Sequence, residues 1–125
     1  MVAKKTVLIV DDDFLVRNAL RRLFNTSEFE VSGEAQNGQE AIDRAELLKP
    51  DLIILDLSMP VMNGLEAAAH LRKILPHVRL ILFTMHDVPE VERLAKKAGI
   101  HAVIGKSRAA TLIAKVQALM AGQSS

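Results

Sequence analysis

Five residues could do chemistry together: Asp11, Asp12, Asp56, Thr84 and Lys106. Each stands at the end of a short apolar run rich in branched residues. Residues 7–10 run into Asp11-Asp12-Asp13, 52–55 into Asp56, 80–83 into Thr84, and 102–104 into Gly105-Lys106. Clustered carboxylates repel, which raises their pKa values unless a cation joins them. Oxygen donors with no Cys or His among them suit a hard cation. Mg²⁺ fits best, because it takes one or two carboxylates, a carbonyl and several waters. A carboxylate beside such a cation, an ammonium and a hydroxyl is equipment for phosphoryl transfer. The Asp attacks phosphorus, and the other three groups take up charge on the equatorial oxygens. Neither G-x-x-x-x-G-K-[ST] nor G-x-G-x-x-G occurs, so the chain reads as one that receives a phosphoryl group rather than binds a nucleotide.

Singly, each residue has a plainer reading. Asp13 before Phe14 reads as a helix cap, and Asp11 or Asp12 alone could be one too. Thr84 alone is an ordinary strand residue, and Lys106 alone is surface. Asp56 is harder to set aside, because it closes an apolar run that reads as a buried central strand, where a lone carboxylate is costly. The combination is far more specific than its parts.

The elements that must position these groups alternate along the chain. Besides the four apolar runs, residues 29–35 alternate apolar and polar, as an edge strand with one wetter face would. Helical spacing appears between them. Residues 13–25 place Phe14, Ala19, Leu20, Leu23 and Phe24 on one side, with Arg17, Arg21 and Arg22 elsewhere. Residues 38–48, 64–75, 89–98 and 109–121 carry similar stripes, the last through Leu112, Ile113, Val116 and Leu119. Pro50 and Pro76 follow helical stretches, Pro89 suits a first turn, and Gly99 and Gly122 suit left-handed stops. Five strands and five helices in strict alternation imply parallel strands with right-handed crossovers. Five units are too few for an eight-fold barrel. The expected fold is therefore α/β, a flavodoxin-like doubly wound (βα)5 with a parallel five-stranded sheet in the order 2-1-3-4-5. Ligands bind such sheets beyond the carboxyl ends of the strands, where all five residues fall. One domain over 1–122 and a polar tail over 123–125 are expected.

Composition agrees and excludes several classes. A chain of 125 residues, 50% hydrophobic and 25% charged, is one compact domain. Zero Cys excludes disulfides, thiolate metal sites and cysteine catalysis. Aromatics are limited to Phe14, Phe24, Phe29 and Phe83, which argues against a base-stacking nucleic-acid module. A net charge of +1 argues against bulk binding of polyanions. The apolar run near the start ends in three aspartates, unlike a signal peptide, and no stretch approaches the ~20 apolar residues of a bilayer span. A cytoplasmic location is expected, with no membrane and no direct nucleic-acid contact. His70, His77 and His101 carry no metal spacing and read as surface.

Over essentially its full length the sequence resembles the receiver domain of two-component response regulators, a group that includes the single-domain chemotaxis regulator. The matching blocks are residues 7–12, residues 56–64 (Asp56-Leu57-Ser58-Met59-Pro60-Val61-Met62-Asn63-Gly64), Phe83-Thr84 and Gly105-Lys106. The resemblance implies that Asp56 is the phospho-acceptor, served by a sensor histidine kinase, a phosphotransfer protein or a small acyl phosphate. It implies Mg²⁺ held directly by Asp12, Asp56 and the Ser58 backbone carbonyl, with Asp11 acting largely through water. Thr84 and Lys106 would bind the phosphoryl oxygens. Phosphorylation would rearrange the α4-β5-α5 face, about residues 88–121, to control a downstream effector or output domain, a local charge event biasing a two-state element.

Several positions depart from the family pattern. Val103 stands where a switching Tyr or Phe is usual, so no ring can rotate there. Met85 replaces a small residue after Thr84, and its long thioether could shield the pocket or turn away. Ser107 replaces a Pro that often follows a cis peptide; cis before a non-proline costs roughly 3 kcal/mol. Lys-Ser here is familiar in family members with helix-turn-helix output domains. Ser58 and His86 occupy positions that tune phosphoryl lifetime in the family, and His86 could titrate near neutrality. Two other classes compete. One is a receiver-like interaction module that is never phosphorylated. The other is an aspartate-nucleophile phosphatase of the haloacid dehalogenase type, against which Ser58 stands where that type carries a second Asp. The chain is expected not to be a turnover enzyme. The face around Leu112, Val116 and Leu119 could form a homodimer or only pack on the sheet.

Overall fold

The computed structural model describes residues 3–121. The elements run β1 (Lys5–Val10), α1 (Phe14–Leu23), β2 (Phe29–Ala35), α2 (Gly38–Leu48), β3 (Leu52–Leu55), α3 (Gly64–Ile74), β4 (Arg79–Thr84), α4 (Pro89–Lys97) and β5 (Ala102–Gly105). A 3₁₀ segment (Lys106–Thr111) then leads into α5 (Leu112–Ala121). All pairings are parallel and the order is β2-β1-β3-β4-β5, as expected. Gly122 and the tail 123–125 lie outside the described residues.

Alternation along the strands sorts the core into two layers. Leu8, Val10, Ile53, Leu55, Leu80 and Leu82 face one way, onto Ala41, Ala45, Ala67, Ala68, Leu71 and Ala95 of α2, α3 and α4. The alanines on those helices let helix and sheet approach closely while the strands supply the volume. Val7, Ile9, Leu52, Ile54, Ile81, Phe83 and Ile104 face the other way, onto Leu20, Phe24, Leu112 and Val116. The Phe24 and Phe29 rings meet edge to face, with centroids 5.3 Å apart. Leu112 and Val116 are thus packed on the sheet, with Leu119 partly buried beside them.

The differences from expectation have physical causes. β1 and β4 start earlier than their apolar runs, because Lys5 and Arg79 join the ladder opposite Phe29 and Leu52. The α1 stripe is turned: Phe14 is 64% exposed and Ala19 is exposed, whereas Arg17 is buried. A charge paired inside the fold overrides the hydrophobic count. The last helix begins at Leu112 rather than 109, since the chain first tightens into 3₁₀ geometry with a kink at Arg108.

Helix ends follow their residues. Asp13 caps α1 by accepting from the Leu15 N–H, as expected. Asn63 and Glu66 form a reciprocal capping box on α3. Gly99, at φ 85°, is the left-handed stop after α4.

Candidate functional site

The carboxyl edge of the sheet gathers the acidic residues. Carboxylate oxygens of Asp11, Asp12 and Asp56 lie within 4.8 Å of one another. Asp11 and Asp56 are buried at 1% and 6% exposure, and Asp12 is exposed. Main-chain bonds fix them: the Asp56 N–H donates to the Val10 carbonyl (2.9 Å) and the Asp11 N–H to the Ala35 carbonyl (3.0 Å). Lys106 reaches in from the end of β5. Its Nζ stands 2.8 Å from Asp11 Oδ2 and 3.4 Å from Asp56 Oδ1. The other Asp11 oxygen accepts from the Asp13 N–H at 2.8 Å.

Thr84 is fully buried at the end of β4, opposite Gly105 in register and so next to the strand that delivers Lys106. Its Oγ1 accepts from the His86 N–H at 3.1 Å, which occupies a lone pair and leaves the hydroxyl proton free to donate. The sequence motifs thus place Asp11, Asp12, Asp56, Thr84 and Lys106 on one rim, as their strand-end positions require.

The loop after Asp56 turns sharply over the site. A Cβ on Gly64 would collide with the Asp56 carbonyl, so only glycine fits there. Val61 is held at φ 70°, a left-handed conformation that a β-branched residue adopts at a cost, and it is 81% exposed. Ser58 is exposed on this loop. Met85, next to Thr84, is 70% exposed. His86 is exposed, and it is its main chain that touches the site. Val103 is half-buried against the Leu80–Leu82 layer. No cis peptide bond occurs among the described residues.

Electrostatics follow from the geometry. Burial, then the Asp11 charge, push the Asp56 carboxyl above its ordinary value; Lys106 pulls it down but is outweighed. Burial pulls the Lys106 ammonium down, but its hydrogen bond and charge contact with Asp11, then Asp56, more than offset this and raise it. One ammonium for three carboxylates leaves the cluster short of positive charge. An oxygen-only donor set with that deficit fits a hard divalent cation such as Mg²⁺.

Two contributors escaped the sequence reading. Arg17, assigned to the polar side of α1, points inward: its Nη1 donates to the Asp11 carbonyl (2.8 Å) and its Nε to Glu34 Oε1 (3.0 Å). The available signal was Glu34, an acidic residue inside a strand, with Arg17 and Arg21 one turn apart on the next-door helix. His101 is exposed, as expected, but its Nδ1 accepts from the Leu80 N–H at 3.1 Å.

Residues 7–117 match the family described as the response regulator receiver domain. The chain belongs to that family. This receiver is 39% identical over 95 residues to the chemotaxis protein CheY of Thermotoga maritima, covering 76% of this chain and 79% of that one. It is 41% identical over 104 residues to the transcriptional regulatory protein PdtaR of Mycobacterium tuberculosis, covering 82% of this chain but 49% of that one. It therefore spans about half the length of PdtaR, and 53% of a response regulator protein VraR from Staphylococcus saprophyticus. Among solved structures, a LuxR-family two-component response regulator from Aurantimonas sp. SI85-9A1 superposes with a TM-score of 0.90 at 31% identity, covering 96% of this chain and 87% of that one. A CheY-like receiver domain protein from Methanospirillum hungatei superposes with a TM-score of 0.88 at 26% identity, covering 98% of each. The receiver fold and family are thus fixed independently of the site geometry.

Proposed function

We propose that this receiver takes a phosphoryl group on an Asp56 carboxylate oxygen, with Mg²⁺, and so controls a downstream effector or output domain. The observation that carries the reading is the Asp56 carboxylate at the mouth of a buried strand, 3.4 Å from the Lys106 ammonium and clustered with Asp11 and Asp12. The donor is a phosphohistidine of a sensor histidine kinase or phosphotransfer protein, or a small acyl phosphate. An Asp56 Oδ–P bond forms as the P–N or P–O bond to the donor breaks, and the leaving imidazole or acid departs with the bonding pair. Asp11, Asp12, Asp56 and the Ser58 carbonyl are the residues that would hold Mg²⁺. When bound, the ion neutralises the carboxylates and the charge developing on the phosphoryl oxygens.

The chain's own groups do the rest. Lys106 and the free Thr84 proton would meet two phosphoryl oxygens from adjacent strands. A hydroxyl drawn toward the phosphoryl group pulls on β4, and the half-buried Val103 of β5 is the aliphatic group placed to repack. This couples the site to the α4-β5-α5 face. Met85 and His86, both exposed at the mouth, are placed to modulate access of water to the acyl phosphate, which is self-hydrolysed rather than turned over on a second substrate. The residues 1–122 would act as one such domain. A kinase phosphohistidine forms where ATP is, so the cytoplasm is the proposed compartment. Among the described residues no helix is long and apolar enough to cross a membrane.

Incubation with acetyl phosphate and Mg²⁺, followed by intact mass, tests the reading. One phosphoryl adduct is expected on the wild type and none on Asp56→Ala. Because the adduct hydrolyses, beryllium fluoride with Mg²⁺ serves as the stable analogue. Neither adduct nor analogue binding on the wild type would leave the non-phosphorylated interaction module standing. Steady release of phosphate from an aryl phosphate would favour the phosphatase.

A further inference from the structure

Asp11 has two main-chain handles, and both lead to β2. Its N–H donates to the Ala35 carbonyl at 3.0 Å. Its carbonyl accepts from Arg17 Nη1 at 2.8 Å, and the same guanidinium donates through Nε to Glu34 Oε1 at 3.0 Å. Glu34, adjacent to Ala35, is held in turn by Arg21 Nε, 2.7 Å from Oε2. Arg17 is 9% exposed, and its Cζ lies 5.7 Å from the centre of the Phe14 ring. A buried guanidinium is costly unless paired, so the Glu34 contact is what lets Arg17 stay inside.

The carbonyl that Arg17 grips belongs to the peptide joining Asp11 to Asp12. That unit is planar, so fixing its oxygen fixes the plane from which both side chains leave. Asp12 is exposed. Its direction is set by the backbone beneath it.

We infer that Arg17 and Glu34 are positioning residues for the acidic cluster: the α1 guanidinium, braced by the β2 carboxylate, holds the Asp11–Asp12 peptide at the angle that brings both carboxylates to one cation. This rests on the reading of the site given above. The pair touches neither the phosphoryl group nor the cation. It acts on Mg²⁺ affinity, not on the chemical step. A Lys at 17 offers one compact donor head and cannot span both acceptors as a planar fork does.

The test is a Mg²⁺ titration of the full chain followed by amide NMR shifts of the three acidic loops, with acetyl-phosphate labelling at saturating Mg²⁺ measured in parallel. Arg17→Met should weaken Mg²⁺ binding about tenfold and Glu34→Gln about threefold. Arg17→Lys should fall between wild type and Met. The double variant Arg17→Met/Glu34→Gln should be no weaker than Arg17→Met, because the two act as one unit. The labelling rate at saturating Mg²⁺ should stay within about twofold of wild type, a split that general destabilisation would not produce. Should Arg17→Met fail to fold, Glu34→Gln decides. Unchanged Mg²⁺ affinity in a folded variant overturns the inference while leaving the site reading intact. A wild type with no Mg²⁺-dependent shift overturns both.

Discussion

At the residue scale, the chemistry was written into strand ends. Asp11, Asp56, Thr84 and Lys106 were legible because a parallel sheet delivers whatever follows each apolar run to one rim. Arg17 and His101 were not, because their partners lie far off in sequence. The burial of Arg17 depends on Glu34, 17 positions away. His101 substitutes an imidazole nitrogen for a ladder acceptor, receiving the Leu80 N–H while its own N–H donates to the Leu80 carbonyl at 2.8 Å. Burial, then the nearby Arg72 and Arg79 charges, hold its pKa below the ordinary 6.5. The folded state thus binds fewer protons than the unfolded one as pH falls through 6.5, so stability is complete above that value and declines below it. His101→Asn keeps a short acceptor and cannot charge. Thermal melts from about pH 7.5 down to about pH 5.5 should show a shallower loss of stability for the variant than for the wild type. Parallel slopes would show that His101 is not the group responsible.

At the element scale, existence and order were legible, and faces and ends less so. The two core layers follow from strand geometry, since a period of two leaves no choice of side. The face of α1 was misassigned because Phe14 and Ala19 satisfy a helical stripe that the fold does not use. The 3₁₀ segment after β5 had no clear signal, and its six residues KSRAAT are compatible with ordinary helix. Under the proposed coupling, the element to probe is β5, which carries Val103. Val103→Ala removes two methyl groups from a half-buried contact with the sheet layer. It should change affinity for an output partner by at least about fivefold while altering the acetyl-phosphate labelling rate less than twofold, the larger effect falling on the surface that repacks. Equal effects on both would place Val103 outside the coupling.

At the scale of the whole molecule, the site is a by-product of how the sheet is wound. Among the described residues the buried carboxylates, Asp11 and Asp56, both lie at the carboxyl rim, where repulsion among acidic groups is concentrated. Lys106 answers part of that repulsion from within, its ammonium shared between Asp11 and Asp56. The protein therefore carries a spare counter-ion on a flexible stem, ready when the external one is scarce. A structural zinc domain unfolds when its metal is stripped. This chain should not. Chelation with EDTA should leave its circular dichroism spectrum native and lower its Tm by no more than about 5 °C, the loss of ligand linkage alone. Collapse of the spectrum would mean that the tethered ammonium does not suffice. With a native spectrum retained after chelation, metal supply would govern when the switch can be thrown, and never whether the domain survives to throw it.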